Sequence, residues 1–279
     1  MELSEFKKIA LQYKVIFFDA FGVLKNSKGV LPGIKDMISF LKESDIDFFV
    51  LTNDASRSPQ KLVKSYQDAG ITEITEEKMI SSGMLVREYI QYKVHEGTIA
   101  YLGTENSAYY LQKKNLKLLP VRDVADYDSI SALVFLDEEG FSWELDLNKT
   151  LNILRKKTMP VILANTDKTY PVAKNDVSLA IGSIANMIER AARKKFIRFG
   201  KPDTQIFNYA FNYKISDSSI TKNDILMVGD SLTTDILGGN HFGVDTCLVL
   251  TGNTSPETYN LMISSLGIVP DYVCNSVID

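Results

Sequence analysis

Apolar runs of strand length alternate with helical-period segments along the first third of the chain: residues 15–18, then Ile34, Met37, Ile38 and Leu41, then residues 48–51, then Leu62, Tyr66 and Ala69. This order predicts βαβ units on a parallel sheet. The strand runs are apolar at every position instead of alternating, as a strand covered by helices on both faces requires. The expected fold is therefore α/β, with a Rossmann-like, doubly wound parallel sheet at its core. The rhythm returns in the last third, where residues 225–228, a helix over 234–242 and residues 246–250 read as more of the same sheet. A second set of strand candidates lies between, at 98–102, 132–136 and 161–163, each followed by a helix candidate, at 105–114, 145–157 and 179–195. That middle block has its own apolar content. A separate α/β insert over 84–195 is therefore expected, on a core made of 1–83 and 196–279, because one continuous sheet would need about eight strands or more.

Composition narrows the class of function. With 279 residues, 45% hydrophobic and 24% charged, the chain can bury real cores, which excludes disordered and collagen-like classes. The net charge of -4 supplies no basic surface for a phosphate backbone, so no nucleic-acid partner is expected. Two cysteines, Cys247 and Cys274, and two histidines, His95 and His241, cannot assemble a thiolate or imidazole zinc site. Residues 1–14 lack the apolar centre of a signal peptide, and no run approaches the roughly 20 apolar residues that span a bilayer. The expectation is a reduced, cytoplasmic protein with no membrane partner. Its oligomeric state is not readable here, and a homodimer is compatible with the sequence.

In an open parallel sheet ligands gather beyond the carboxyl ends of the strands, so the residue after each apolar run is the informative one. Residues 15–18 run into Asp19, residues 48–51 into Thr52-Asn53-Asp54, and residues 225–228 into Gly229-Asp230-Ser231, while Gly200-Lys201-Pro202 opens a later helix. Any one of these has a bland reading: an Asp or Thr after a strand commonly caps a helix, and a lone lysine is commonly solvated. Together, a carboxylate, a hydroxyl, an ammonium and a second carboxylate at successive strand ends are what phosphoryl transfer needs. Asp19 and Asp230 on neighbouring strand ends would reach one hard cation, and Mg²⁺ favours few carboxylates plus waters and ligand phosphate.

The residues that carry this pattern also resemble a known family. Phe18-Asp-Ala-Phe-Gly-Val-Leu24, Leu51-Thr-Asn-Asp-Ala-Ser-Arg57, Gly200-Lys-Pro-Asp203 and Gly229-Asp-Ser-Leu-Thr-Thr-Asp-Ile236 are similar, in order and spacing, to the haloacid dehalogenase (HAD) superfamily. Within it they resemble subfamily IIA, the NagD-like and 4-nitrophenylphosphatase-like hydrolases with an inserted α/β cap. Asn165-Thr-Asp167 and Gly182 look like that subfamily's cap motif. The resemblance implies a Mg²⁺-dependent phosphatase acting on a small phosphorylated metabolite. Asp19 would attack phosphorus, Mg²⁺ would sit on Asp19, Asp230 and the main-chain carbonyl of Phe21, and Thr52, the amide of Asn53 and Lys201 would hold the phosphoryl oxygens. Asp235 would support the metal or Lys201, Ser231 would lie near the metal, and Asp167 and Tyr170 would line the substrate side.

One position departs from the family. The acid that protonates the leaving oxygen is usually an Asp two residues after the nucleophile, and Phe21 stands there. Losing that proton transfer is worth about 10²- to 10⁴-fold in rate. The alternative reading is accordingly a phospholigand-binding or regulatory protein with little turnover. Asp54 is the obvious substitute acid, against its bland role as a cap of the following helix. Gly229-Asp-Ser-Leu232 also spells a serine-esterase tetrapeptide, but no histidine is placed to serve Ser231. Trp143 and Tyr109-Tyr110 read as packing residues, and the basic stretch 190–198 as a solvated helix face.

Overall fold

The computed structural model describes all residues except 1, 2, 174, 175 and 216. Six parallel strands form the core sheet, in the edge-to-edge order Tyr272–Cys274, Asp245–Val249, Ile225–Gly229, Val15–Phe18, Asp47–Thr52 and Met79–Ser81. Every residue of Val15–Phe18 is buried, and the two-residue period of a strand divides them between two layers. Ile16 and Phe18 pack with Phe6, Met37 and Leu41 on one face, while Val15 and Phe17 meet Ile206 and Phe207 on the other. The sheet is wound on both sides, as its unbroken apolar strands require. Helix Ile34–Glu43 buries Ile34, Met37, Ile38 and Leu41, the spacing of a single helical stripe.

A second parallel sheet draws its strands from residues 97–198, in the order Ile197–Arg198, Val161–Leu163, Ile130–Phe135, Gly97–Leu102 and Leu116–Pro120. It has its own core, in which Leu133, Phe135 and Leu163 meet Ile153 and Leu154 of helix Trp143–Lys156 and Ile184 and Ile188 of helix Ile181–Ala192.

Three local expectations are corrected. The stretch 105–114 forms a short 3₁₀ turn, Ser107–Leu111, instead of an α-helix. The chain then extends as Leu116–Pro120 to pair with Gly97–Leu102, so tertiary pairing overrides a weak local periodicity. Leu179 ends a hairpin made of Thr169–Ala173 and Asp176–Leu179, and the following helix begins at Ile181. The helix expected over 234–242 is divided into a π turn, Leu232–Ile236, and an α-helix, Leu237–Phe242. Such wide turns concentrate at functional sites, and this one directs Asp235.

Candidate active site

Asp19 leaves the central strand at its carboxyl end, where its backbone N–H donates to the carbonyl of Val228 on the neighbouring strand, 2.8 Å away. That bond aligns the two strand ends and brings Asp230 to the same side. Between them Lys201, only 2% exposed, places its ammonium 2.6 Å from Asp19 Oδ1 and 2.7 Å from Asp235 Oδ1, and donates to the Leu51 carbonyl at 2.8 Å. Asp19 Oδ1 and the Leu51 carbonyl accept hydrogen bonds from the ammonium, and Asp235 Oδ1 meets it as an ion pair. Burial by itself would lower the Lys201 pKa, but the charges of Asp19 and Asp235 override it, and the net shift is upward. Lysine stays charged here.

Asp235 reaches Lys201 because the π turn carries it back toward the sheet, and its Oδ2 accepts from the Ser231 N–H at 3.1 Å. Gly229 makes the approach feasible, since a Cβ there would overlap the Asp235 side chain. Burial raises the Asp235 pKa to about 7, against the opposing pull of Lys201. Burial also pushes Asp230 well above the carboxylate range, with the charges of Asp19 and Asp235 adding to it. Asp230 Oδ2 accepts from the backbone and side-chain N–H groups of Asn253 at 2.6 and 3.0 Å. Gly22 lies against that carboxylate with φ +81°, so a Cβ there would meet Asp230 as well as strain the backbone. Oxygens of Asp19, Asp230 and Asp235 lie within 4.8 Å of one another. Carboxylates gathered this closely repel, and a hard divalent cation with oxygen ligands relieves the repulsion.

Asn53 is a clasp between the elements. Its Oδ1 accepts from the Lys201 N–H at 2.7 Å, and its Nδ2 faces the Lys201 carbonyl at 2.9 Å, Asp167 Oδ1 at 2.9 Å and Thr166 Oγ1 at 3.2 Å. Its side chain is thus fully engaged with protein. Thr52 Oγ1 accepts from the Asp54 N–H at 3.1 Å, a turn that leaves the hydroxyl hydrogen to point elsewhere. Asp54 caps no helix: its Oδ1 accepts from the N–H and hydroxyl of Ser56 at 2.9 and 2.6 Å, a local turn, and the next helix starts at Pro59 behind Ser58.

A cavity of about 780 Å³ opens above this cluster, between the core strand ends and the second sheet. Asp19, Phe21, Thr52, Lys201, Asp230 and Ser231 line its core side, joined by Asp54. Asp167 and Tyr170 line the opposite side. Of the site residues read from sequence, Asn53 and Asp235 are not on the wall but directly behind it. Arg57, Glu138, Arg198 and Asn253 also line the cavity and were missed. Asn253 follows the strand Asp245–Val249 and Glu138 the strand Ile130–Phe135, so the strand-end rule could have found both; Arg198 carried no comparable signal. His95 and His241 are exposed and off the cavity wall, which leaves Ser231 without a base. Trp143 is 45% exposed and packs no core, whereas Tyr110 is buried with its hydroxyl donating to the Arg57 carbonyl at 2.8 Å. Arg198 is not a solvated face residue, since it pairs with Glu189 and bonds Asn186 Oδ1 at 2.9 Å.

Glu138 makes the cavity wall sensitive to pH. Burial, then the charge of Asp137, raises its pKa from 4.5 to about 7. Between those values the folded state keeps a proton that the unfolded chain has lost, so stability falls as pH rises from 4.5 to about 7. Glu138→Gln should flatten that slope, by on the order of 1 kcal/mol after solvent screening. Denaturant midpoints of both proteins at the two ends of the window measure it, and parallel profiles would contradict it.

Known proteins resemble this chain. The haloacid dehalogenase-like hydrolase family model matches residues 16–117, and a HAD-hydrolase-like model matches residues 198–279. Rat chronophin (Rattus norvegicus) is 26% identical over 275 residues, which cover 96% of this chain and 87% of that protein. Among solved structures, one described as a possible sugar phosphatase of the HAD superfamily from Cytophaga hutchinsonii is 53% identical and superposes with a TM-score of 0.96, covering 100% of this chain and 99% of that one. The p-nitrophenyl phosphatase from Archaeoglobus fulgidus is 25% identical with a TM-score of 0.79, covering 96% and 98%.

Proposed function

The chain belongs to the haloacid dehalogenase superfamily, and from that premise we propose that it is a Mg²⁺-dependent phosphatase that hydrolyses a small phosphorylated metabolite through an aspartyl-phosphate. The observation that carries this is the contact of Lys201 Nζ with both Asp19 and Asp235 at the floor of the cavity, 2.6 and 2.7 Å away. Lys201 orients Asp19 by donating to its Oδ1, as a carboxylate nucleophile must be oriented. Asp19 forms the bond to phosphorus as the bond from phosphorus to the leaving oxygen breaks, and water then cleaves the aspartyl-phosphate. Thr52, with the backbone N–H of Asn53, and Lys201 stand where phosphoryl oxygens would be held; Asp54, Asp167 and Tyr170 face the rest of the substrate.

The donor set fits a hard cation, because Asp230 is buried among like charges with only Asn253 to satisfy its Oδ2. Asp19, Asp230 and the Phe21 carbonyl would hold Mg²⁺, with Ser231 beside it, and the ion would supply neutralisation of charge on the transferring phosphoryl group. Residues 84–195 are read as a cap that closes on the core and excludes water from the aspartyl-phosphate. A panel of phosphorylated metabolites, assayed for phosphate release with and without Mg²⁺, tests the reading. Release from none of them would defeat it and favour a protein that binds phospholigands without turnover. Asp230→Ala should raise the Mg²⁺ concentration for half-maximal activity by about tenfold or more, the loss of one charged ligand. An unchanged Mg²⁺ dependence would remove Asp230 from the metal site.

A further inference from the structure

Beside the phosphoryl site stand two cations, Arg57 and Lys25, that make no ion-pair contact among the described residues. Arg57 lines the cavity. Its backbone is held by the Tyr110 hydroxyl on its carbonyl at 2.8 Å, and its Nε donates to Ser56 Oγ at 3.2 Å. Ser56 Oγ in turn donates to Asp54 Oδ1, so the guanidinium stem is oriented by a fixed turn. Neither Nη group has a hydrogen-bond or ion-pair partner among the described residues. Burial lowers the Lys25 pKa, the charge of Asp54 opposes that shift, and Arg57 stands close enough to add to it. The Lys25 ammonium touches only ring faces, 4.5 Å from the centre of Phe21 and 5.6 Å from that of Tyr66. Phe21 is itself on the cavity wall next to Asp19. The buried Tyr66 hydroxyl also has no acceptor. The nearby carboxylate, Asp54, already spends Oδ1 on Ser56.

Arg57 is exposed at the cavity with its fork unpaired, and Lys25 is half-buried against the ring faces, so the two keep a positive charge on this side of the cavity. An anion in the cavity answers both, and a free guanidinium fork matches the paired oxygens of a carboxylate or phosphate. We propose that Arg57, backed by Lys25 across Phe21, binds a second anionic group of the substrate, a carboxylate or a second phosphate on the leaving-group side. The proposal rests on the phosphatase reading in naming the ligand a substrate, but its test reads binding alone.

Phosphonoacetate and phosphonoacetamide, which replaces only the carboxylate by a neutral amide and like it carries no hydrolysable ester, are titrated into the protein with Mg²⁺ by calorimetry. The wild-type protein should bind phosphonoacetate about 10- to 100-fold more tightly, the worth of a charge-assisted hydrogen bond. Arg57→Gln should bring the ratio close to one, and Lys25→Met should reduce it in part. Methylenebisphosphonate in the same titration separates the two anions, the tighter binder naming the group. Equal affinities in the wild-type protein would overturn the proposal. So would a ratio that survives in both variants, which would assign the preference to the metal, or an equal loss of both ligands in Arg57→Gln, which would assign Arg57 to the shared phosphonate. If Arg57→Gln does not fold, the wild-type ratio and Lys25→Met still decide. A carboxylate preference in a protein that releases no phosphate from any ester would sink the phosphatase reading and leave this one standing.

Discussion

Asp19→Asn should lose on the order of 10⁴-fold or more in phosphate release, the scale seen when a covalent nucleophile is removed. An amide oxygen is too weak a nucleophile to displace an alkoxide from phosphorus, and the same change takes a charged ligand from the metal cluster. The fold should stay. The asparagine oxygen can still accept from Lys201 Nζ, which keeps its bond to the Leu51 carbonyl at 2.8 Å and its contact with Asp235 at 2.7 Å. The strand pairing of Val15–Phe18 does not involve the side chain. Circular dichroism and thermal melting should therefore resemble the wild-type protein while the phosphate assay reads near background. Release at the wild-type rate from a folded Asp19→Asn protein would end the covalent mechanism.

The second large effect is expected at position 21. With Phe21 in place of an acid, aryl and acyl phosphates should turn over and alkyl phosphates hardly at all, because an unprotonated alkoxide is a far poorer leaving group than a phenolate or carboxylate. Phe21→Asp should raise alkyl phosphate hydrolysis by up to about 10²- to 10⁴-fold, the contribution of a positioned acid. The structure adds a condition. Lys25 Nζ lies 4.5 Å from the Phe21 ring centre, so a carboxylate at 21 would draw that ammonium into an ion pair and lose its freedom to deliver a proton. Combining Phe21→Asp with Lys25→Met should accordingly give the larger gain. The measurement is kcat/KM against leaving-group pKa for the three proteins. A wild-type protein indifferent to the leaving group would point to a replacement acid, and Asp54→Asn would then be the next variant to assay, since Asp54 lines the cavity with its carboxylate oriented by Ser56.

Local periodicity and the strand-end rule were enough to mark Asp19, Thr52, Lys201 and Asp230 as neighbours. An unbroken apolar run such as Val15–Phe18 can be satisfied only by burial on both faces, and a parallel sheet places all its carboxyl ends on one side. For the same reason the second sheet was visible as a further set of apolar runs, although its edge strand Leu116–Pro120 and the hairpin at 169–179 were not. Those segments are half-buried or exposed, so their patterns carry little signal, and their conformation is set by the strands they pair with. What no pattern along the chain could reveal is which side chains end up facing each other. The Asn53 side chain bonds to Lys201, 148 positions away, and to Asp167, 114 positions away, and so acts as a clasp. Asp235 reaches Lys201 only through a π turn beside a glycine. Arg57 and Lys25 look like ordinary surface cations until the fold sets Arg57 on the cavity wall and Lys25 over the Phe21 ring. Burial, repulsion and hydrogen-bond satisfaction are properties of surroundings drawn from distant parts of the chain: the sequence by itself determined the sheet and the strand ends that bear the chemistry, and the tertiary structure alone decided the charge state, the partners and the unmet needs of the groups around them.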